Sequence, residues 1–336
     1  MKALICTQPG SFKYRDIPDP VPQPGHTIIR IKRVGICGTD LHAFEGTQPY
    51  FDYPRILGHE LAAEIVQPDA PGFNTGEMVT IIPYFNCGTC IACRSGKPNC
   101  CVSLKVCGVH VDGGMAEYFS VPSSSLVHAG ELGLDELALI EPLAIGAHGI
   151  RRADIKAGEF VLVIGAGPIG LGTMEFARIA GGKVIALDIN QGRLAFCKDK
   201  LGIDYAVDAT AGVPEQLKDI TNGDMPSVVI DATGSLGAIN KGFEYLAHGG
   251  KYILIGLQKG DISFSHPEFH KREGTLMSSR NATRADFEKV MDALRYKLID
   301  PLTYITHRIN FDGLKDEFPN WLKPGSNVIK AMVELS

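Results

Sequence analysis

Residues 160–170 read FVLVIGAGPIG, and this stretch decides the fold because a short apolar run passes directly into a glycine-rich turn. The apolar run is predicted to be a buried strand, followed by a helix at about 169–180. The turn matches G-x-G-x-x-G, whose glycines permit a tight bend, close approach of the backbone to a pyrophosphate, and close packing of helix on strand. The predicted contacts with a dinucleotide in this turn are Gly165, Gly167, Pro168, Ile169 and Gly170.

The surrounding sequence continues the alternation of strands and helices. Further strands are predicted at 184–188, 228–231 and 251–255, and helices at 144–153 and 193–201. Strands that alternate with helices indicate a parallel sheet of the doubly wound type, so the predicted fold class is α/β.

Asp188 ends the strand predicted after the glycine turn, eighteen residues past Gly170. A carboxylate at this place would meet the adenosine ribose hydroxyls and would repel a 2′-phosphate, so NAD is favoured over NADP. The alternative is a glycine turn in some other α/β protein, with Asp188 as a helix cap. Arg193 could lie over the adenine, or it could be a solvated helix arginine.

Length and composition suit a globular chain with two cores. Of its 336 residues, 45% are hydrophobic and 21% are charged, which is ordinary for such proteins. The net charge of -5 gives no basis for a nucleic-acid or anionic-membrane surface. The apolar runs are too short to cross a bilayer, and the N-terminus shows no basic region followed by a long apolar one. We therefore expect a cytoplasmic protein that binds neither nucleic acid nor membrane.

The first 125 residues are rich in proline, glycine and short β-branched runs. Strands are predicted at 27–34 and 78–83, and few stretches in this part are predicted to be helical. We expect a compact all-β unit with long loops. From about residue 275, a helix is predicted at 284–295 and a closing strand at 328–333.

Four of the nine cysteines lie within fifteen residues, at Cys87, Cys90, Cys93 and Cys101. In a reducing compartment, clustered thiols bind metal more often than they form disulfides. Four thiolates suit a tetrahedral zinc ion with no open position, which would hold the loop and perform no chemistry. An iron–sulfur cluster is the main alternative, and Cys100 could replace Cys101 as the fourth ligand.

Three dispersed segments carry side chains that can bind metal or move protons: 37–42 (CGTDLH), 58–60 (GHE) and 141–143 (EPL). A catalytic zinc has three protein ligands and one position for water or substrate. Cys37, His59 and one carboxylate would neutralise Zn²⁺. Because Glu60 adjoins His59, both reach one ion only from a bend, and either Glu60 or Glu141 could be a ligand that exchanges with water.

These motifs, in this order, resemble the zinc-containing medium-chain dehydrogenase/reductase family over essentially the whole chain. The matching elements are Cys37-Gly-Thr-Asp with His42, Gly58-His59-Glu60, the four-cysteine loop, Glu141-Pro-Leu-Ala, the glycine turn, and Asp231-Ala-Thr-Gly. The resemblance implies a GroES-like β-barrel catalytic domain, formed by 1–145 and 275–336, and a Rossmann domain, formed by 146–274. It also implies NAD as cofactor and a homodimer or homotetramer.

The resemblance further implies roles for individual residues. Cys37 and His59, with Glu141 or Glu60, would hold a catalytic zinc, and the four-cysteine loop would hold a structural one, giving two Zn²⁺ per chain. In related enzymes the proton of the substrate hydroxyl passes through a threonine and the nicotinamide ribose to a histidine. Thr39 and His42 occupy those positions, and Glu60 is a third candidate catalytic residue. Three residues would lie nearest the nicotinamide and pyrophosphate: Ile255, Leu257 and Arg280.

The predicted reaction is hydride transfer from a secondary alcohol of a small polar molecule, such as a polyol or sugar acid, to NAD. A glutamate after the four-cysteine loop, in place of a second cysteine, resembles the polyol, sugar-acid and threonine group. The Ser279-Arg-Asn-Ala stretch favours sugar-acid enzymes such as L-galactonate dehydrogenases. The alternatives are an L-threonine 3-dehydrogenase, a general alcohol dehydrogenase, and a non-catalytic NAD-binding relative.

Overall fold

The computed structural model describes residues 1–49, 51–323 and 325–336, and its contacts divide the chain into two units. The first unit comprises Met1–Pro142 and Thr283–Ser336, and the second comprises Leu143–Ala282. No helix in the described residues is long and apolar enough to cross a membrane.

The strands and helices of the described ranges follow in chain order. The strands are β1 (Lys2–Gln8), β2 (Ser11–Asp16), β3 (His26–Ile36), β4 (Arg55–Ile56), β5 (Glu60–Gln67), β6 (Met78–Ile81), β7 (Tyr84–Phe85), β8 (Lys105–Val106), β9 (Tyr118–Pro122), β10 (Leu126–His128), β11 (Phe160–Ile164), β12 (Lys183–Asp188), β13 (Tyr205–Asp208), β14 (Val228–Asp231), β15 (Lys251–Leu254), β16 (Thr275–Ser278), β17 (Ile305–Asn310) and β18 (Lys330–Glu334). The α-helices are α1 (Gly38–Glu45), α2 (Ile91–Arg94), α3 (Leu134–Ala153), α4 (Pro168–Ile179), α5 (Gln191–Leu201), α6 (Val213–Ile220), α7 (Leu236–Gly242), α8 (His266–Lys271), α9 (Arg284–Arg295) and α10 (Leu314–Trp321). Short 3-10 turns lie at Pro98–Cys100, Ser123–Ser125, Phe243–Tyr245, Pro301–Tyr304 and Phe311–Gly313.

The first unit is built on a mostly antiparallel seven-stranded sheet. Its strands follow the order β10-β6-β5-β3-β18-β17, and β9 also pairs with β3. Smaller sheets of order β2-β1-β4 and β7-β8 complete the unit. Its apolar core contains fully buried residues such as Leu4, Ile29, Leu61 and Phe318. The last strand of the chain, β18, pairs with residues 33–36 of β3 and so lies next to Cys37.

The second unit confirms the doubly wound parallel sheet predicted from the alternation of strands and helices. Its strand order is β13-β12-β11-β14-β15-β16, with every neighbouring pair parallel. The chain starts in the middle at β11, builds outward through β12 and β13, and then returns to β14. This is the order that leaves a crevice at the carboxyl end of the first strand, where ligands bind in such folds. The glycine turn follows β11 and lies at that end.

The observed boundaries differ from the expected ones at both ends of the second unit and at the start of one helix. Residues 275–282, which we assigned to the catalytic domain, lie in the second unit because β16 extends its sheet by pairing with β15. Residues 143–145 also belong to the second unit. The helix expected at 144–153 begins ten residues earlier, at Leu134, and Pro142 lies inside it. A proline in a helix interior removes one backbone hydrogen bond, but it does not have to end the helix.

We expect Gly170 to be required for the packing of α4 on β11. A Cβ atom at Gly170 would overlap the backbone carbonyl oxygen of Gly165, and Gly170→Ala should therefore lower the free energy of unfolding by about 2 kcal/mol. Gly167→Ala is the matched control, because Gly167 has a φ of -77° and open space around its Cβ position. Its effect should stay within about 0.5 kcal/mol. Urea unfolding followed by circular dichroism measures both, and equal effects would contradict the proposed close approach.

Candidate functional site

Cys37, His59 and Glu60 come together in the first unit. Cys37 follows β3 and caps the N-terminus of α1, whereas Glu60 begins β5, the neighbouring strand. His59 lies between the left-handed Gly58 (φ 96°) and the start of β5, which provides the bend that adjacent ligands require. One potential ligand atom from each of the three side chains lies within 4.8 Å of the others. A thiol, an imidazole and a carboxylate at this spacing can hold a divalent ion such as zinc.

Asp40 supports this cluster from behind. Its carboxylate is 1% exposed and accepts hydrogen bonds from the backbone N–H groups of Cys37, at 3.0 Å, and Gly58, at 3.2 Å. The Nδ1 atom of His59 lies 3.8 Å from the same carboxylate and has no hydrogen-bond partner among the described residues. Burial alone would lower the pKa of His59, but Asp40 and Cys37 outweigh it and leave that pKa well above its ordinary value. A carboxylate behind a histidine orients the ring and leaves the other nitrogen for a metal.

Glu60 is held by a residue that the sequence prediction missed. Lys330, in β18, is 2% exposed, and its Nζ donates to both Glu60 carboxylate oxygens at 2.6 Å and to the carbonyl oxygen of Ile36 at 3.1 Å. Burial disfavours the ammonium form, but the attraction of Glu60, Cys37 and Glu141 outweighs it and raises the pKa of Lys330. The pair is therefore a buried ion pair at the edge of the cluster.

Glu141 is buried close to this cluster but is not one of the three converging residues. It lies inside α3, and it accepts a hydrogen bond from the hydroxyl of Tyr84. Burial raises the pKa of Glu141 to about 7, although His59, Tyr84 and Lys330 oppose the shift. The geometry therefore brings Glu60 together with Cys37 and His59, whereas Glu141 stays bonded to Tyr84.

Thr39 and His42 lie on α1, and not in a loop. They are three residues apart and so share one face of that helix. Thr39 is half-buried, whereas the side chain of His42 is 62% exposed. The His42 Nδ1 atom lies 3.3 Å from the Thr47 hydroxyl and 3.5 Å from a Glu45 carboxylate oxygen. The His42 ring is therefore accessible to solvent.

The four-cysteine loop converges as its spacing predicts. Ligand atoms of Cys87, Cys90, Cys93 and Cys101 lie within 4.8 Å of one another, and Cys100 is not among them. The Thr89 hydroxyl, at 3.6 Å, and the Cys90 amide, at 3.4 Å, donate to the Cys87 sulfur. Hydrogen bonds from Thr89 and Cys90 lower the pKa of Cys87 to about 5. A low thiol pKa supplies the thiolate form that binds a metal.

The predicted dinucleotide turn in the second unit lies between β11 and α4. Gly165 has a φ of 99°, and Gly167 caps the helix directly before Pro168, Ile169 and Gly170. Asp188 ends β12, and its carboxylate accepts hydrogen bonds from the backbone N–H of Ala166 at 2.6 Å and that of Asn190 at 2.8 Å. Arg193 donates to the carbonyl oxygen of Ala166 at 3.1 Å. Asp188 and Arg193 thus both support the turn, which presents its amides and the start of α4 to a phosphate.

Ile255, Leu257 and Arg280 follow β15 and β16, so they lie at the same edge of the parallel sheet as the glycine turn. Ile255 is half-buried, Leu257 is 62% exposed, and Arg280 is exposed. Asp231, at the end of β14, accepts hydrogen bonds from the Thr233 hydroxyl at 2.6 Å and the Gly234 amide at 3.1 Å. It therefore shapes the loop beside these residues.

Sequence reasoning missed three supporting residues of the first-unit cluster. Asp40 lies three residues after Cys37 in the segment CGTDLH, and this nearness could have indicated that it supports the cluster. Tyr84 and Lys330 carry no such signal, because Tyr84 is 57 residues from Glu141 and Lys330 is 270 residues from Glu60. Only the pairing of distant strands brings them to the site.

Comparisons with known proteins show which family the chain resembles. Residues 23–131 match the alcohol dehydrogenase GroES-like domain, and residues 168–295 match the zinc-binding dehydrogenase family. The chain is 41% identical to L-galactonate-5-dehydrogenase of Escherichia coli K12, over 99% of this chain and 98% of that protein. It is 35% identical to sorbitol dehydrogenase of Halalkalibacterium halodurans, over 91% of this chain and 92% of that protein.

A solved structure extends the comparison to the fold. The alcohol dehydrogenase RspB of Escherichia coli CFT073, complexed with NADH, superposes with a TM-score of 0.92 at 29% identity. The alignment covers 100% of this chain and 99% of that one. With both domains matched in order, the chain belongs to the zinc-type medium-chain alcohol dehydrogenase family, with a GroES-like domain and a Rossmann-type domain.

Proposed function

We propose that the protein is a zinc-dependent, NAD-linked dehydrogenase that oxidises a secondary alcohol of a polyol or sugar acid. The observation that carries this proposal is the convergence of Cys37, His59 and Glu60 in a chain 41% identical to an L-galactonate-5-dehydrogenase. Sequence similarity to a sorbitol dehydrogenase supports the same class of polar substrate.

Two zinc ions per chain are proposed. Cys37, His59 and Glu60 would hold the first, with Glu141 as an additional carboxylate close by, and the four-cysteine loop would hold the second. The donor sets fit, because zinc accepts thiolate, imidazole and carboxylate ligands, and because the buried Nδ1 of His59 faces Asp40 as in a metal-bound histidine. In the first site a zinc ion supplies Lewis-acid polarisation of an alcohol oxygen.

The chain's own residues would orient the ligands and move the proton. Asp40, 3.8 Å from the His59 ring, would orient that ring, while Tyr84 and Lys330 hold the two carboxylates by hydrogen bonds. Thr39 would receive the proton of the substrate hydroxyl, since its own hydroxyl both accepts and donates. The exposed His42 would deliver that proton to solvent. Hydride acceptance is the chemistry of the nicotinamide, and the protein contributes binding and orientation.

The second unit would bind NAD in preference to NADP. The turn of Gly165, Gly167, Pro168, Ile169 and Gly170 would cradle the pyrophosphate. Asp188 would accept the ribose hydroxyls, and its negative charge would repel a 2′-phosphate. Arg193, held against the turn, would flank the adenine, and Ile255, Leu257 and Arg280 would lie nearest the nicotinamide and pyrophosphate.

We also propose a homodimer or homotetramer in the cytoplasm. Strand β16 pairs only with β15 among the described residues, and its Leu276 is 37% exposed, so this edge could pair with a second copy. The nine cysteines are free thiols, and four of them converge, which suits a reducing compartment.

Activity should be highest with a sugar acid or polyol. We expect NADH formation with L-galactonate or a related compound at a kcat/KM at least about a hundredfold above that for simple alcohols, because sites that bind substrate hydroxyls reject molecules lacking them. With the same substrate, the enzyme's kcat/KM for NAD should exceed that for NADP by at least about tenfold, because Asp188 would repel the added phosphate. The measurement is NADH absorbance across a panel that includes L-threonine.

Three results of that assay would redirect the proposal. Turnover restricted to L-threonine would make the protein a threonine dehydrogenase. NAD binding without turnover on any alcohol would favour a non-catalytic relative. Full activity after complete removal of metal by a chelator would refute the zinc mechanism.

Single cysteine substitutions should separate the two metal sites. Purified wild-type protein should contain two zinc ions per chain, whereas Cys37→Ser and Cys93→Ser should each contain one, since each loses one ligand set. Cys37→Ser should also lose at least about 99% of its activity, because metal polarisation contributes several kcal/mol. Cys100→Ser is the matched control and should keep two ions, because Cys100 is exposed and outside the converging group.

Atomic emission measures the identity and number of metal ions in each variant, and the visible spectrum detects an iron–sulfur cluster. Iron in place of zinc would support the iron–sulfur alternative. A Cys100→Ser protein with one ion, beside a Cys101→Ser protein with two, would show that the fourth ligand is Cys100.

A further inference from the structure

Lys330 is a buried cation in direct contact with Glu60 of the proposed catalytic metal site. Its side chain is 2% exposed. Its Nζ donates hydrogen bonds to both carboxylate oxygens of Glu60, at 2.6 Å, and to the carbonyl oxygen of Ile36, at 3.1 Å. An ammonium group has three donors. The lysine is therefore fully engaged, and it is held in one position by the strand that precedes Cys37.

The contact depends on a glycine in the strand between the two partners. In the seven-stranded sheet β3 lies between β5, which carries Glu60, and β18, which carries Lys330. Gly35 of β3 is paired with Glu60 on one side and with Met332 on the other. A Cβ atom at Gly35 would overlap a carboxylate oxygen of Glu60. The glutamate side chain thus crosses the middle strand over Gly35 to reach the lysine.

The same carboxylate is also one of the three converging ligands. Glu60 lies within 4.8 Å of the ligand atoms of Cys37 and His59 while both of its oxygens bond to Lys330. A carboxylate oxygen that accepts a short bond from an ammonium group is a weaker donor to a metal.

We propose that Lys330 is a positioning residue that competes with the metal for Glu60, so that this carboxylate is the weakly held and exchangeable ligand of the site. The inference rests on the proposed function, because it takes Cys37, His59 and Glu60 as the zinc site. The lysine acts through Glu60 and does not touch the substrate.

The test measures zinc affinity and does not depend on turnover. Zinc dissociation constants are determined for Lys330→Met, Lys330→Gln and Lys330→Arg by competition with a chromophoric chelator. Zinc binding by the Cys37→Ser protein measures the four-cysteine loop alone, and this contribution is subtracted from the binding curve of each variant. Removal of the ammonium group should tighten zinc binding by at least about tenfold in Lys330→Met and Lys330→Gln. Lys330→Arg, which keeps charge and donors, should stay within about threefold of wild type. Lys330→Gln remains informative if Lys330→Met does not fold.

A double-mutant comparison shows whether the lysine acts through Glu60. In a Glu60→Gln background, Lys330→Gln should tighten zinc binding by less than about threefold. Cobalt-substituted protein provides a second readout, since its visible spectrum reports the ligand set and should change in Lys330→Gln but not in Lys330→Arg.

The outcomes separate this inference from the proposed function. Unchanged or weaker zinc binding in both neutral variants would overturn the role of Lys330, as would an equal gain in the Glu60→Gln background. A wild-type protein that binds only one ion, at the four-cysteine loop, would overturn the proposed zinc site and this inference together.

Discussion

The burial of several acidic groups at one place is the constraint on which the first unit depends. Asp40, Glu60 and Glu141 are at most 4% exposed, and the thiol of Cys37 lies among them. An ionised carboxylate in a protein interior costs several kcal/mol unless it is paired. Each acid has its own partner, since backbone amides bond Asp40, Tyr84 bonds Glu141 and Lys330 bonds Glu60. A divalent cation would balance most of the charge that remains, so the electrostatics of the fold favour a metal.

In the second unit, the groups available to a ligand at the glycine turn are mainly backbone amides. A pyrophosphate needs donors at close range, and the turn after β11 provides them because glycines allow the chain to bend and approach. Side chains then stabilise the turn, since Asp188 accepts the Ala166 amide and Arg193 donates to the Ala166 carbonyl. This arrangement explains why the dinucleotide turn could be predicted from a stretch of eleven residues, whereas the site in the first unit needed several separate segments.

Features made by residues close together in sequence could be predicted, whereas contacts between residues far apart in sequence could not. The strand–turn–helix at 160–179 and the four-cysteine loop are local, and their geometry was predicted from spacing alone. Cys37, His59 and Glu60 were recognised only as separate motifs that matched a family. The partners of the carboxylates could not be found, because Lys330 reaches Glu60 through strand pairing across 270 residues. The start of α3 was also missed, because only residues 144–153 were expected to be helical, whereas the helix begins at Leu134 and continues through Pro142.

The contrast between the two proposed metal sites follows from the neighbours of their ligands. In the four-cysteine loop, the hydrogen-bond donors to sulfur are neutral, namely a hydroxyl, backbone amides and other thiols. Four thiolates would leave a zinc ion there without an open position. In the Cys37 site, the Asp40 carboxylate lies 3.8 Å from Nδ1 of the histidine, whereas both nearby carboxylates already have donors in Lys330 and Tyr84. On the proposed role of Lys330, the Glu60 carboxylate would leave a metal more easily than a thiolate of the four-cysteine loop. Closed structural and open catalytic behaviour can therefore arise in one unit from hydrogen bonds beyond the ligands, and not only from ligand type.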